Sequence, residues 1–467
     1  MTDKELYEEL SYKRRCVYEV ITDGEKAEMN ALCDEYRAFL DSGKTERECV
    51  ELSVKMAEDA GFVPLESVTE LKAGDKIYSI NRGKNILMAV VGTEDIENGV
   101  NLCGAHIDSP RLDLKQNPLY ESNKMALLKT HYYGGIKKYQ WTAIPLALHG
   151  VIYTRGGEKI TLNIGENEDD PVFCITDLLP HLAKDQMAKR MTEGVDAESL
   201  NVLFGGMPID AEVSEKVKFA ILKLLNSRYG IKEIDFQNAE IEIVPAFKAR
   251  NVGIDESFIG AYGQDDRVCA FTTLKGILDI ETPKKTAVAL LVDKEEIGSC
   301  GNTGMKSAFF GMVMAEIIEK IKGECPITTY NSVIRNSACL SSDVSAAVDP
   351  NYEGAYEKNN STFAGSGMCI MKYTGARGKS GSSDASAEFM YQVEKIMDDN
   401  GVIWQSGELG KVDQGGGGTI AQYVANLNME VVDCGVPVLS MHAPFEVTSK
   451  ADVYMAYRSY KAFYKDR

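Results

Sequence analysis

The sequence predicts an α/β protein, with a mixed, mostly parallel sheet carrying helices on both faces and an inserted β-rich domain. Three observations predict it. Short apolar runs bounded by Gly, Asn and charged turns, NILMAVVG (85–92), NLCGAHI (101–107) and TAVALLVD (286–293), have the unbroken hydrophobicity of buried strands. From Thr286 to the C-terminus, strand-like and helix-like segments alternate. Between these regions, residues 108–250 change texture to β-rich segments such as MALLKTHYY, IPLALHGVIYT and KITLNIG, mixed with a helix over Ser214 to Tyr229.

In chain order, the first sixty residues read as helices, because Met29, Leu32, Tyr36 and Leu40 fall at helical spacing and Val50, Leu52, Val54 and Met56 follow Gly43. The strands at 85–92 and 101–107 come next, then the insert. After it, the strand at 286–293 leads through a Gly-punctuated turn into a helix from about Met305 to Ile321. Residues 1–107 and 251–467 thus form one domain and 108–250 an insertion within it. Ligands in such folds bind beyond the carboxyl ends of the strands, so polar residues just after apolar runs are the ones to inspect.

The 467 residues carry 70 Asp and Glu against 51 Lys and Arg, a formal charge of −19. That excess repels a phosphate backbone, and no basic block offsets it, which excludes nucleic acid and anionic membrane surfaces as partners. The start, MTDKELYEEL, is charged throughout, and no window approaches the roughly 20 apolar residues of a membrane span. Eleven cysteines occur singly with no C-x-x-C pair, which argues for reduced thiols in a cytoplasmic protein and against a disulfide framework or a thiolate zinc site.

Five places carry potential chemistry. His106 and Asp108 form H-x-D at a strand end, where residues two apart share a face and a carboxylate orients a metal-bound imidazole; alone, the pair is a weak signal and reads first as a hydrogen-bonded structural histidine. In Gly263-Gln264-Asp265-Asp266-Arg267 a carboxylate is available to bridge two cations, or the segment is a turn with Asp265 or Asp266 paired to Arg267. Glu295 and Glu296 stand where the strand TAVALLV ends, so that one can ligate a metal while its neighbour takes a proton from the attacking water. Asp343 closes NSVIRNSACLSSD, and His442 follows the apolar run VPVLSM. Two histidines and three carboxylates at strand ends make a five-ligand set of N and O donors. With one carboxylate shared, it suits a pair of Zn²⁺ or similar divalent ions about 3.5–4 Å apart. Gly378-Lys379-Ser380 is not a phosphate-binding loop, because Tyr373 stands where the pattern requires Gly. The Gly415–Gly418 run offers backbone N–H groups before the predicted helix TIAQYVANL.

AHIDSPRLDLK (105–115), GQDDRVCAF (263–271), DKEEIGS (293–299), SSDVSAAVDPNY (341–352), GGGGTI (415–420) and SMHAPFE (440–446) resemble, in order and spacing across almost the whole chain, the aspartyl aminopeptidase family of dinuclear zinc exopeptidases. The resemblance implies two Zn²⁺ ions bridged by Asp265, with His106 and Asp343 completing one site and Glu296 and His442 the other. It implies Glu295 as general base and Asp108 as the residue that orients His106. It also implies that the insert pairs subunits, that dimers build a dodecamer, and that peptides with acidic N-terminal residues are substrates. His181 falls near a family histidine that reaches an active site from the insert, and Lys411 approximately matches a lysine suited to an acidic side chain. Asp266 departs from the family's usual Asn, and four consecutive glycines depart from its usual segment there. Neutral N-terminal residues are the alternative substrates, and a non-catalytic assembly protein is the alternative class. An acidic substrate would need a positive pocket near Lys411 and the metals to overcome the field of so acidic a chain.

Overall fold

The computed structural model describes residues 1–467. The N-terminal helices are α1 (Asp3–Leu10), α2 (Val17–Val20), α3 (Asp23–Ser42) and α4 (Glu46–Asp59). Thr2, Thr22 and Thr45 start α1, α3 and α4, and each has a glutamate three residues on. Threonine hydroxyl and glutamate carboxylate each accept the other residue's backbone N–H, which satisfies donors the helix leaves free. Along α3 the apolar spacing buries Met29, Leu32, Tyr36, Phe39 and Leu40 on one face.

Next come β1 (Val63–Pro64), β2 (Lys76–Asn81), β3 (Asn85–Val90) and β4 (Asn101–His106). The following segment contains β5 (Arg111–Ser122), β6 (Met125–Tyr133), β7 (Leu146–Tyr153), β8 (Lys159–Ile164), α5 (Lys184–Met187), β9 (Val202–Gly205), α6 (Lys216–Tyr229) and β10 (Glu240–Pro245). These strands pair antiparallel in the order β8-β7-β10-β5-β6-β9 around a core of their own that includes Trp141, Leu148 and Ile241.

The chain continues through β11 (Arg250–Val252), β12 (Phe258–Ala261), α7 (Gln264–Leu278), β13 (Ala287–Val292), α8 (Phe309–Lys322), α9 (Ile327–Asn336), β14 (Ala338–Ser342) and β15 (Ser345–Ala346). It closes with β16 (Met368–Met371), α10 (Ala387–Asp399), β17 (Trp404–Ser406), α11 (Ala421–Ala425), β18 (Glu430–Gly435), β19 (Pro437–Leu439), β20 (Glu446–Ser449) and α12 (Lys450–Asp466). Nine strands form the main sheet, in the order β1-β2-β3-β13-β4-β14-β18-β16-β17, and the central run β13-β4-β14-β18 is parallel throughout. Helices α3, α4, α7, α10 and α12 cover one face and α8, α9 and α11 the other. Burial on both faces explains why β3, β4 and β13 read as apolar runs. A smaller sheet, β11-β12-β20-β19-β15, lies beside the start of α7.

Two predicted helices are shorter than their sequences suggest. The helix expected from Met305 begins at Phe309, because Lys306 N–H is taken by Ser299 O and Ser307 N–H by Gly304 O, which holds the preceding residues in an irregular turn. TIAQYVANL shrinks to the five residues of α11, where the Thr419 hydroxyl accepts Ala421 N–H and donates to Asp433. Both are local side-chain or loop bonds that compete with helix propagation.

The β-rich segment is tied to the main sheet domain by buried charge. Lys44, just before α4, donates to Glu166 Oε1 at 2.7 Å, to Pro245 O at 2.8 Å and to Phe247 O at 3.0 Å. His149 on β7 lies between Glu48, at 2.7 Å, and Glu166, at 3.1 Å. His131, by contrast, is exposed on β6 and not a core residue.

Candidate metal centre

The parallel register delivers the polar residues to one end of the sheet. His106 ends β4 and pairs with Val292 at the end of β13, Glu295 and Glu296 follow in the next turn, and Asp343 follows β14. Asp265 and Asp266 lie in the first turn of α7, where carboxylates offset the positive helix end. That helix begins at Gly263, with φ of +69°, and a Cβ there would collide with the Arg267 guanidinium. Arg267 does not pair with Asp265 or Asp266, as the turn reading expected. It instead donates to Tyr262 O, Gly263 O, Lys44 O and Ser109 Oγ, which locks the start of α7 to the N-terminal helices.

Two groups of donors result, with atoms all within 4.8 Å of one another: His106, Asp265 and Asp343, and Asp265, Glu296 and His442. Asp265 belongs to both. His106 Nε2 is 3.5 Å from Asp343 Oδ1, and His442 Nε2 is 2.8 Å from Asp265 Oδ2 and 3.4 Å from Glu296 Oε1. Glu295 lines the same cleft, a cavity of about 450 Å³.

Neighbouring groups fix these side chains. The Gly135 carbonyl can only accept, so its 2.7 Å contact places the proton of His442 on Nδ1 and leaves Nε2 free as a donor to a cation. Glu446 on β20 accepts His442 N–H at 2.6 Å and Asp265 N–H at 3.1 Å, and so joins the two donors through one carboxylate. Asp108 is closer to His106 through its carbonyl, 3.3 Å from Nδ1, than through its carboxylate at 3.6 Å. Its carboxylate instead accepts Glu295 N–H at 2.9 Å, Glu296 N–H at 3.2 Å and the Tyr133 hydroxyl at 2.7 Å.

The electrostatics describe a concentration of negative charge that the chain does not itself neutralise. Burial, reinforced by Asp343, Asp108 and Asp265 and opposed by His106, pushes the Glu295 carboxyl up. Burial likewise raises Glu296, Asp266 and Glu446. Both carboxylate oxygens of Asp266 are buried without a hydrogen-bond partner. Burial alone would lower the imidazoles, yet Asp343 and Asp108 carry His106 well above its ordinary value, and Asp265 and Glu296 carry His442 to about 11. A set of N and O donors without thiolate, inside a field that favours positive charge, fits divalent metal.

All five predicted ligands and Glu295 therefore meet at one cleft. Lys411 does not line it. That residue belongs to an adjoining cavity of about 390 Å³ with Arg377 and Lys379, which shares Thr374, Leu409 and Gly416 with the cleft. His181 is exposed in a turn of the β-rich segment, outside the cleft. Gly416–Gly418 are part of the cleft wall. Sequence reasoning missed Glu446, Tyr133 and Gly135 as supports. Glu446 had a signal, four residues after His442 within SMHAPFE, but Tyr133 and Gly135 lie in the β-rich segment with nothing local to mark them.

Donors gathered around the carboxyl ends of parallel strands, with one aspartate from the first turn of α7 common to both groups, define a metal-dependent hydrolase. The chain belongs to the M18 peptidases, described as aminopeptidase I zinc metalloproteases, whose family profile matches residues 39–464. It is a metal-dependent aminopeptidase. A Clostridium acetobutylicum relative, described as a probable M18 family aminopeptidase 1, is 49% identical over 446 residues, covering 94% of this chain and 96% of that one. The crystal structure of an M18 aminopeptidase from Thermotoga maritima superposes with a TM-score of 0.95 at 44% identity, covering 98% of this chain and all of that one. The mApe1 dodecamer of S. cerevisiae, at 20% identity and a TM-score of 0.76 over 94% of this chain and 97% of that one, shares the fold.

Proposed function

We propose that two divalent ions, zinc in the first instance, occupy the two donor groups. His106 and Asp343 hold one, Glu296 and His442 hold the other, and Asp265 bridges them. When bound, the ions supply Lewis acidity at the scissile carbonyl and a lowered pKa for the attacking water. Glu295 accepts the proton of that water and returns it to the leaving amine. Asp108 acts on Glu295 and Glu296 by holding their backbone N–H groups, and the carboxylate-rich cleft favours the free α-ammonium of a peptide. The observation that carries this reading is Asp265 shared between the two groups with Glu295 beside them. Glu295→Gln should keep its metal and lose about 10²–10⁴ in kcat. Blocking the α-amino group by acetylation should abolish cleavage, and equal rates on acetylated and free peptides would overturn the exopeptidase assignment.

For the N-terminal residue, the first reading is Asp or Glu, reaching Lys411 and Arg377, which make no ion pair, while Lys379 is held by Asp384 at 2.9 Å. A specific observation favours a second reading: Met371, Leu409 and Met441 line the cleft beside the metal donors, and no Lys or Arg does, which suits a neutral apolar side chain. Rates of the metal-reconstituted enzyme on Asp-, Glu-, Leu- and Lys-anilides decide between them.

The assembly is proposed on separate grounds. We take residues 108–250 as a dimerisation domain inserted into a catalytic domain formed by 1–107 and 251–467. Leu178, Leu179, Leu182, Met187 and Met191 are exposed along one stretch of it, an apolar surface suited to a second copy. Six such dimers would give the dodecamer that the yeast relative forms, with His181 on the exposed stretch brought towards a neighbouring cleft. Sedimentation equilibrium of the full chain and of Leu182→Asp tests this. Eleven unpaired cysteines fit a cytoplasmic location, and no helix is long and apolar enough to cross a membrane.

A further inference from the structure

A second cavity, of about 800 Å³, opens where α3, the hairpin of β11 and β12, the backbone around Gly365 and the start of α12 meet. It shares no wall residue with the metal cleft. Lys450, the first residue of α12, is part of its wall and is only 5% exposed. Its backbone N–H donates to Ser257 O at 3.0 Å, but its ammonium forms neither a hydrogen bond nor an ion pair within the chain.

Three features leave that ammonium without a compensating charge. The positive end of a 17-residue helix lies beside it, where a cation is the wrong charge. The N-cap Ser449 makes no side-chain capping bond that would offset the helix end. The one acid of the first turn, Asp452, is engaged elsewhere, its two oxygens accepting the N–H groups of Gly365 and Gly367, both at 2.7 Å.

The remaining charges of the wall do not serve Lys450 either. Arg37 and Asp34 pair with each other at 2.7 Å, Asp255 accepts the Ser257 hydroxyl at 2.9 Å, and Glu256 accepts from Asn251 at 3.1 Å. Lys26 lies exposed on the same wall and adds a second positive charge. We propose that this cavity is a binding site for a small molecule bearing an oxyanion, phosphate or carboxylate, with Lys450 as its counter-ion and the amino end of α12 beside it. The volume suits a metabolite, not a macromolecule. A bound oxyanion supplies the charge that Lys450 and the helix end lack, and the Ser449 hydroxyl on the same wall is at hand for one of its remaining oxygens, while the Tyr18 hydroxyl already donates to Ser257 O at 2.8 Å.

The test is isothermal titration of the metal-loaded full chain with inorganic phosphate and, separately, with succinate, in low-salt buffer free of other oxyanions. Wild type should bind at least one probe with Kd below about 1 mM, and Lys450→Met should weaken it at least about tenfold with unchanged metal content. Binding of phosphate alone assigns a phosphoryl ligand, and binding of succinate alone a carboxylate. Equal affinity in wild type and Lys450→Met, or no binding to wild type at about 10 mM, overturns the proposal. Lys26→Glu, on an exposed residue whose side chain makes no hydrogen bond or ion pair, gives an independent reading should Lys450→Met fail to fold. It should weaken binding several-fold at low salt, and unchanged affinity in it also overturns the site.

Discussion

The Asp108 carboxylate accepts the backbone N–H of Glu295 at 2.9 Å, and so ties the residue after β4 to the turn after β13. The same carboxylate holds Glu296 N–H and the Tyr133 hydroxyl. Both glutamates are thereby fixed by one buried group. Asp108→Asn replaces one acceptor oxygen by a donor and must lose part of that set. Metal affinity and kcat are each expected to fall about 10–100-fold, measured by chelator competition and by single-substrate kinetics. An unchanged Kd for zinc would show that Asp108 does not position Glu296.

Metal removal should cost stability as well as activity, since the centre gathers buried carboxylates that burial raises and that cations would neutralise. A ligand binding only the folded state at about 100 times its Kd adds about 2.7 kcal/mol. Exhaustive chelation is expected to abolish hydrolysis and lower Tm, and Zn²⁺ addition to restore both. Calorimetry of the stripped and reloaded protein checks this.

The buried pairs at the junction set a pH window. Although burial opposes it, Glu166 and Glu48 raise the His149 imidazole, so its contribution is full below the unfolded pKa near 6.5 and fades as pH rises through the folded value. Despite burial, His149 and Lys44 bring Glu166 from 4.5 to about 2, so its contribution is full above 4.5 and fades as pH falls towards 2. The Tm difference between wild type and His149→Gln should be largest between about pH 4.5 and 6.5 and shrink above it. A difference that grows up to pH 9 would contradict this assignment.

Gly435 ends β18 directly against Asp343. A Cβ there would stand 1.8 Å from Asp343 O and 2.6 Å from its carbonyl carbon, backbone atoms that cannot rotate away. Gly435→Ala should destabilise by about 1–3 kcal/mol and weaken metal retention by displacing Asp343. Denaturant unfolding with zinc analysis distinguishes this from a harmless substitution.

Much of the site was legible in advance because its ligands follow apolar strands, and parallel strands in one register bring their ends together. His106, Glu296, Asp343 and His442 each carried that local signal, and Asp265 carried the signal of neighbouring carboxylates. The supports were not legible. Gly135 contributes only a carbonyl, which no side chain announces, and Tyr133 reaches Asp108 across 25 positions of sequence. The alternative of a turn pairing Arg267 with Asp265 or Asp266 fails for the same reason: its neighbours in sequence are acids, but packing turns it to Lys44 and Ser109.

The sequence by itself determined the α/β class, the set of nitrogen and oxygen donors and the acidic balance, because strand hydrophobicity, donor chemistry and net charge are properties of local composition. Only the tertiary structure decided that Asp265 stands in both donor groups, that Asp108 serves Glu295 more than His106, that Lys411 opens into an adjoining cavity, and that Lys450 is buried without a partner. Each of these depends on distances between segments far apart in the chain. Such distances are set by sheet register and core packing, and the composition of no single segment contains them.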